Sequence, residues 1–549
     1  MKHRVFLCIF LFSLGLQLLF AAPQMWQNEL AIRQGMNINW TQTTAANPDG
    51  SMIIVWSDTR FGERDLWAQK VDCEGNFLWN CGNPLLITSG SNLQINPIII
   101  PTTDNCLVIA WISTYYPSED PVLAQKINQN GEALWQENGI VISEDMDFRD
   151  PLYGCSDNAG GVYLAWNAYE NDSANIYAAH ILASGCKTWD PNGIQLTDSI
   201  IDRNLSCMIA DGAGGFIFGY LGRNNYQRDL YLNRILFNGS SAWNGAIVVS
   251  DAVRDQDQAV IASDGTGSFI IAWRDNRELN SHKIFAHRIN RDGQFLWNEP
   301  ILVSTGLTTY SQNLPQITGA SDSGVIVAWS DFRDGYEHSR LYAQKISPNG
   351  DLVWNSEGVP LSQSQSDQQN PRLTNDDAGG CYFVWEDTRN GGYYIRDIYA
   401  QHITNSGTTL WNDYGCCICN NSSDQFASSI QRASDKLLIS WADYRTGSCD
   451  IYYQALSHTG NPLLEQNGKL VCRGMDGDAI DPILLKQSNN AVLVWKDSRQ
   501  YYFGYRIYFQ IVTPEHSLLL PANGKPITTY TGHDQSNFSA TMVSDNQIA

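Results

Sequence analysis

The sequence predicts an all-β protein, a β-propeller of about nine four-stranded repeats of roughly 55 residues. Three observations carry that prediction. The string "VWSDTR" at 55–60 returns as "AWSDFR" at 328–333 and "VWEDTR" at 384–389. Its aromatic slot recurs at Trp56, Trp111, Trp166, Tyr220, Trp273, Trp329, Trp385, Trp441 and Trp495, with gaps of 53 to 56 residues. No stretch keeps a 3.6-residue apolar period, whereas short apolar runs bounded by Gly, Asn and Asp abound.

The chain opens with "MKHRVFLCIFLFSLGLQLLFAAP", a basic start followed by an apolar run and small residues. Residues 1–22 therefore read as a secretory signal peptide, leaving 23–549 as the repeat region. No later segment offers the roughly 20 apolar residues of a spanning helix, so no membrane insertion of the mature chain is expected.

Within each unit a first strand is expected after an Asn-Pro or Asp-Pro step, as in "NPIII" at 96–100 and "NPRLT" at 370–374. A glycine turn such as "DDAGG" at 376–380 leads to the second strand, "VIVAWSD" at 325–331 in one copy. A variable loop precedes the third strand ("RLYAQKI", "DIYAQHI"). An Asn-Gly-like turn then ends on a second tryptophan slot: Trp79, Trp135, Trp189, Trp243, Trp297, Trp354 and Trp411. A short fourth strand closes the unit. A β-solenoid has shorter coils and no need of these hairpin turns.

The first strings, extended to W-x-D-x-R-x-G-x-x-D-I-Y-A-Q, resemble the repeat of TolB-like propellers. The D-G-x-x-x-W turn resembles the Asp-box of sialidase-like propellers. Overall the chain is similar to secreted bacterial repeat proteins of the type often carried as type IX secretion cargo. That resemblance implies the fold and export to the cell surface or beyond. It implies no activity, because propellers host unrelated functions.

The ends depart from the repeat. The mature N-terminus holds only a fourth-strand unit, "WQNELAIRQ" at 26–34, with Trp26 in the second slot. Residues 537–549 read as the first strand of a partial tenth copy, and a C-terminally truncated chain is expected. One large ring or two rings fit nine units. Twelve cysteines follow the leader; Cys73 and Cys81 flank one turn and are the expected local disulfide.

Six copies keep a full Trp-x-Asp-x-Arg set: Trp56, Asp58 and Arg60; Trp273, Asp275 and Arg277; Trp329, Asp331 and Arg333; Trp385, Asp387 and Arg389; Trp441, Asp443 and Arg445; Trp495, Asp497 and Arg499. At i, i+2 and i+4 they share a strand face. An enzyme needs one asymmetric set of groups with separated pKa values, so six similar sets read as a structural repeat motif. "CCIC" at 416–419 lacks a second ligand pair at zinc spacing, and one Asp per turn falls short of a calcium cage. His180, His287 and His402 occupy third-strand slots that other copies fill with Gln, Lys or Arg. No catalytic residue, metal or cofactor is expected.

The loops between second and third strands vary and are rich in tyrosine: Tyr115, Tyr116, Tyr169, Tyr226, Tyr336, Tyr393, Tyr394, Tyr501, Tyr502 and Tyr505. They are the expected ligand-binding residues, since a propeller gathers such loops on one face. A formal charge of −22 repels phosphate backbones and excludes nucleic acid as a partner. The expected function is a secreted or cell-surface, non-enzymatic module binding extracellular glycan or protein. A sialidase-like or other glycan-cleaving hydrolase is the alternative, and a structural spacer in a larger surface protein the second.

Overall fold

The computed structural model describes residues 51–542 except 60–63, 115–119, 145–146, 171–172, 198–202, 225–226, 279–280, 306–310, 336–337, 392–394, 434, 475–476, 488–489, 500–503 and 528–534. Residues 1–22, expected to be a signal peptide, and Trp26 lie outside these residues. Nine antiparallel four-stranded sheets make up the described chain, with a single 3₁₀ turn at Asn80–Gly82. No helix among the described residues is long and apolar enough to cross a membrane.

Each sheet is one blade. Blade 6 is representative, running from Gln312–Gly319 through Val325–Asp331 and Arg340–Ile346 to Val359–Pro360. The first strands of blades 2 to 9 are Leu93–Pro101, Asp147–Ser156, Arg203–Ala210, Gln256–Ser263, Gln312–Gly319, Gln368–Asn375, Gln425–Arg432 and Ala479–Gln487. They contact one another in unbroken succession. Gln535–Met542 lies between the last and the first, so there is one ring. That strand, read as opening a tenth copy, pairs with Met52–Asp58 and is the innermost strand of blade 1. Blade 1 is thus built from both ends of the described chain, and Phe538 is 1% exposed inside it.

Second and third strands are buried along their whole length, as in Val325–Asp331 and Arg340–Ile346, because neighbouring blades cover both sheet faces. The apolar clusters accordingly span blade pairs: Trp329 of blade 6 packs with Val260, Ile270 and Ile284 of blade 5. Its ring leaves room only for a glycine in the turn above it. A Cβ on Gly358, at φ +82°, would lie 2.6 Å from the indole.

The second tryptophan slot is a clasp onto the next blade. Trp354 Nε1 donates to the Asn405 carbonyl of blade 7 at 2.9 Å, and a Cβ on Gly407 would meet that indole at 2.6 Å. Trp243 and Trp297 hold the Arg291 and Pro348 carbonyls in the same way. At the ring's seam Leu520 takes the tryptophan's place against Gly75 of blade 1. The repeated Ala-Gln step has a matching reason: Gln344, fully buried, donates to Asn355 O at 2.7 Å and accepts from Trp354 N–H at 3.0 Å.

Three local expectations are corrected. The first strands run through the Pro step: Gln368–Asn375 contains Asn370-Pro371, with Asn370 left-handed (φ +53°) in a bulge. A bulge takes one extra residue out of register, which Asn and Asp tolerate best. In the turn before the second tryptophan the Asp or Asn beside the glycine is the expected cap, but the capping side chain sits three residues before the glycine. Asn290 Oδ1 accepts from the Asp292 and Gln294 N–H groups at 3.0 and 2.9 Å. Finally, Cys73 and Cys81 are both free thiols, as are all twelve cysteines of the described residues. Trp79, between them in sequence, is buried in the interblade core, whereas Cys81 is exposed.

Candidate functional site

The Trp-x-Asp-x-Arg strings form closed networks. In blade 6 the strand ends at Asp331 and Arg333 folds back from the following turn, its own N–H donating to Asp331 Oδ1 at 2.9 Å. Arg333 Nε reaches Oδ1 at 3.0 Å and Nη2 reaches Oδ2 at 2.7 Å. Trp329 Nε1 and Gln312 Nε2 also donate to Oδ2, each at 2.9 Å. The guanidinium lies 3.6 Å over the Tyr342 ring. Asp275, Asp387, Asp443 and Asp497 repeat this with Trp273, Trp385, Trp441 and Trp495, and with Arg277, Arg389, Arg445 and Arg499 over Phe285, Tyr399, Tyr452 and Tyr508. Trp56 donates to Asp58 at 3.3 Å; Arg60 lies outside the described residues. These carboxylates are 0–1% exposed and their lone pairs are taken.

Blades 2 to 4 solve the same problem differently. Trp111 donates to Gln94 Oε1 at 2.7 Å. Trp166 Nε1, facing Ala168 where an Asp would stand, is buried with no partner among the described residues. In blade 4 Arg203 comes from the first strand, over the Tyr220 and Tyr231 rings, and Gly222 makes room for it. The third-strand histidines belong to the frame as well. His180 Nε2 lies 3.0 Å from Asp157 Oδ2 and His402 Nε2 lies 2.9 Å from Asp376 Oδ2, and burial pushes His287 down to about 4. Among the described residues no cluster of three or more His, Cys, Asp or Glu could hold a metal. The three thiols of Cys416–Cys419 diverge: Cys416 donates to Gly460 O at 3.1 Å, whereas Cys419 accepts from Arg445 at 2.9 Å.

One carboxyl stands apart. Asp397, which opens the third strand of blade 7, is 1% exposed and faces Asp387 across the ladder. Asn390 Nδ2 donates to its Oδ2 at 2.6 Å, while Oδ1 has no partner among the described residues. Burial pushes its pKa up to about 6, with the Asp387 charge adding to the rise and the Asn390 bond opposing it. A carboxyl raised in the fold stabilises it while protonated, and that stability is lost as pH rises from about 4 to about 6. Asp397→Asn is therefore expected to stabilise the protein at pH 7 by roughly 1–2 kcal/mol and to lose that gain at pH 4, measured by urea unfolding at both pH values.

Of the loop tyrosines, two lie among the described residues. Tyr169, 38% exposed, ends the second strand of blade 3, and Tyr505 is half-buried before the third strand of blade 9. They stand three blades apart round the ring. Tyr115, Tyr116, Tyr226, Tyr336, Tyr393, Tyr394, Tyr501 and Tyr502 lie outside the described residues. Tyr444, in the corresponding loop of blade 8, is an exposed aromatic that the sequence reading missed; it stacks on Phe426 at 5.8 Å.

The sequence reading also missed a cavity of about 460 Å³ on the wall of the central channel, lined by first strands of blades 6 to 9. Past each bulge, two alternate positions of the first strand recur from blade to blade. In blades 2, 3, 4, 5 and 9 they hold Ile98 and Ile100, Tyr153 and Cys155, Cys207 and Ile209, Val260 and Ala262, and Ile483 and Leu485. In blades 6, 7 and 8 they hold Gln316 and Thr318, Arg372 and Thr374, and Ser429 and Gln431. The intervening Ile317, Leu373 and Ile430 pack into the interblade clusters as elsewhere. Three adjacent blades thus break the apolar pattern together and line one cavity. Comparing the slots copy by copy would have exposed this, but the first strands carry no tryptophan to set their register.

Fold and cavity together define the class: a nine-bladed β-propeller with a polar sector in its channel. No family model matches the chain, and no curated protein matches it. Solved structures similar to it include the Hadza microbial sialidase Hz136, at 11% identity and a TM-score of 0.31, covering 89% of this chain and 98% of that one. A protein of unknown function from Dyadobacter fermentans shows 10% identity and a TM-score of 0.30, over 65% and 92%. The α-L-arabinofuranosidase arb93a from Fusarium graminearum shows 10% identity and a TM-score of 0.30, over 56% and 91%. Likeness this low says nothing of activity.

Proposed function

We propose that the protein is an exported, non-enzymatic binding module that holds an extracellular ligand, glycan before protein, in the polar sector of its channel. The observation that carries this reading is the joint departure of blades 6, 7 and 8 from the apolar slots kept by five other blades. A slot that serves only packing has no reason to turn polar in three neighbours at once. A volume near 460 Å³ suits a small ligand or a few sugar rings. The repeated Asp and Arg groups support the non-enzymatic half, because they are buried and neutralise one another. The loop tyrosines would extend the same ligand's contacts on the loop face.

A glycan-cleaving hydrolase is the second reading, and Asp397 is the feature that favours it, being a carboxyl raised toward neutrality. Its burial and the lack, among the described residues, of an accessible carboxylate partner weigh against it. A glycan array and a pull-down with the purified chain test both. Binding is expected, lost in Thr374→Trp, which fills the cavity, and reduced in Tyr393→Ala with Tyr394→Ala. Binding indifferent to Thr374→Trp would remove the channel from the proposal. Turnover of fluorogenic glycosides, abolished by Asp397→Asn, would replace it with the hydrolase.

A further inference from the structure

The polar sector has a charged centre. Arg372 lies on the middle strand of the three, and among the described residues its hydrogen bond is to the Pro371 carbonyl next to it, at 3.2 Å. No ion pair is made to it among the described residues. Glu386 stands behind it, but both oxygens of Glu386 are taken: Oε1 by the Ala427 N–H at 2.9 Å, Oε2 by Asn370 at 3.1 Å and Arg396 at 2.9 Å. Burial lowers the Arg372 pKa, with the Glu386 charge opposing the change. Two other cations line the cavity. Arg432 is committed to Asp377 and to the Asp376 carbonyl, whereas Lys486 makes no ion pair among the described residues. The one acid among the described residues of the lining, Asp481, is held by Lys496 at 2.9 Å.

In a chain of charge −22, an uncommitted guanidinium and ammonium therefore meet in one polar hollow. A half-buried guanidinium without a carboxylate partner is costly, and a ligand carboxylate would offset that cost with two parallel hydrogen bonds. Around it stand amides and hydroxyls, Gln316, Thr318, Thr374, Ser429 and Gln431, with no aromatic ring among the described residues of the lining. Such a surface suits the hydroxyls of a sugar better than the side chains of a peptide.

We propose that the cavity takes an acidic saccharide, with Arg372 gripping the sugar carboxylate and Lys486 adding long-range attraction; this rests on the binding reading given above. The occupant is set by charge and hydroxyl pattern together. Inorganic sulfate would share the charge and lack the hydroxyls, and a neutral sugar the reverse.

Titration calorimetry of the full chain at low ionic strength tests it, using a galacturonate trisaccharide, its neutral galactose counterpart and sodium sulfate. Saturable binding of the galacturonate trisaccharide is expected, weaker by about 10- to 100-fold in Arg372→Gln and by less in Arg372→Lys, with neither variant falling below the thermal midpoint of the parent. Equal affinity for the acidic and neutral trisaccharides, or affinity unchanged by Arg372→Gln, overturns the acidic ligand while leaving a glycan-binding channel standing. Sulfate binding as tightly as the trisaccharide overturns the saccharide. Binding of none of the three, in a chain that also gives no array or pull-down signal, overturns both this inference and the reading on which it rests.

Discussion

Replacing Asp331 by alanine is expected to cost about 3–5 kcal/mol, one of the two largest effects of any point change in the ring. The carboxylate is 0% exposed and accepts from Trp329, Gln312 and three N–H groups of Arg333. Removing it leaves a guanidinium stacked on Tyr342 with no counter-charge, and an indole N–H with no acceptor. Equilibrium urea unfolding reads the loss. Burial works to raise the Asp331 pKa, but the bonds and charge of Arg333, with Trp329 and Gln312, hold it below its ordinary value of 3.8. A carboxyl lowered in the fold contributes stability above its unfolded pKa and loses it as pH falls through the folded one. The parent should therefore lose stability below about pH 4 with a steeper slope than Asp331→Asn, which has no such proton to take up.

The second large effect is expected at the seam. Deleting residues from 535 onward removes the innermost strand of blade 1 and bares the edge of Met52–Asp58. It also removes the Gln535 side chain, which donates to Asp58 at 3.2 Å and accepts from Ile507 N–H at 3.1 Å. The truncated chain should unfold at markedly lower temperature and associate through the open edge, seen by light scattering. Phe538→Ala separates packing from pairing. It keeps the strand, leaves a cavity against Trp56 and its neighbours, and should cost about 3–5 kcal/mol without association. A truncated chain as stable as the parent would show that the seam contributes nothing.

The frame was legible because tryptophan and glycine are tied to each other by steric need. Trp329 tolerates only Gly358 above it, and Trp354 only Gly407 in the next blade, so both residue types recur at fixed intervals. The bulges were not legible. Their residues are Asn96, Gln258, Leu314, Asn370, Ala427 and Asp481, which share a left-handed backbone, while only three of the six are the Asn or Asp that would signal it. The channel site was hidden for a related reason. Gln316, Arg372 and Ser429 look like ordinary strand residues until the bulge fixes their register, and only then do they fall in the slot that Ile98 and Val260 fill. The loop tyrosines were easy to see and hard to assemble, because nothing in their spacing says which of them meet.

The clasps also give the molecule a direction in time. Trp79 of blade 1 is buried only once the Gln129 carbonyl and Gly131 of blade 2 exist, and each later blade waits in the same way for its successor. As the chain emerges from its N-terminus, every blade matures one step behind the segment then being delivered. The bond from Gln535 to Asp58 bridges 477 residues, so the first blade made is the last one finished. Contacts of such long range form slowly. Until they form, Met52–Asp58 presents an unpaired edge, and a factor that shields strand edges during delivery would act on that one blade more than on any other.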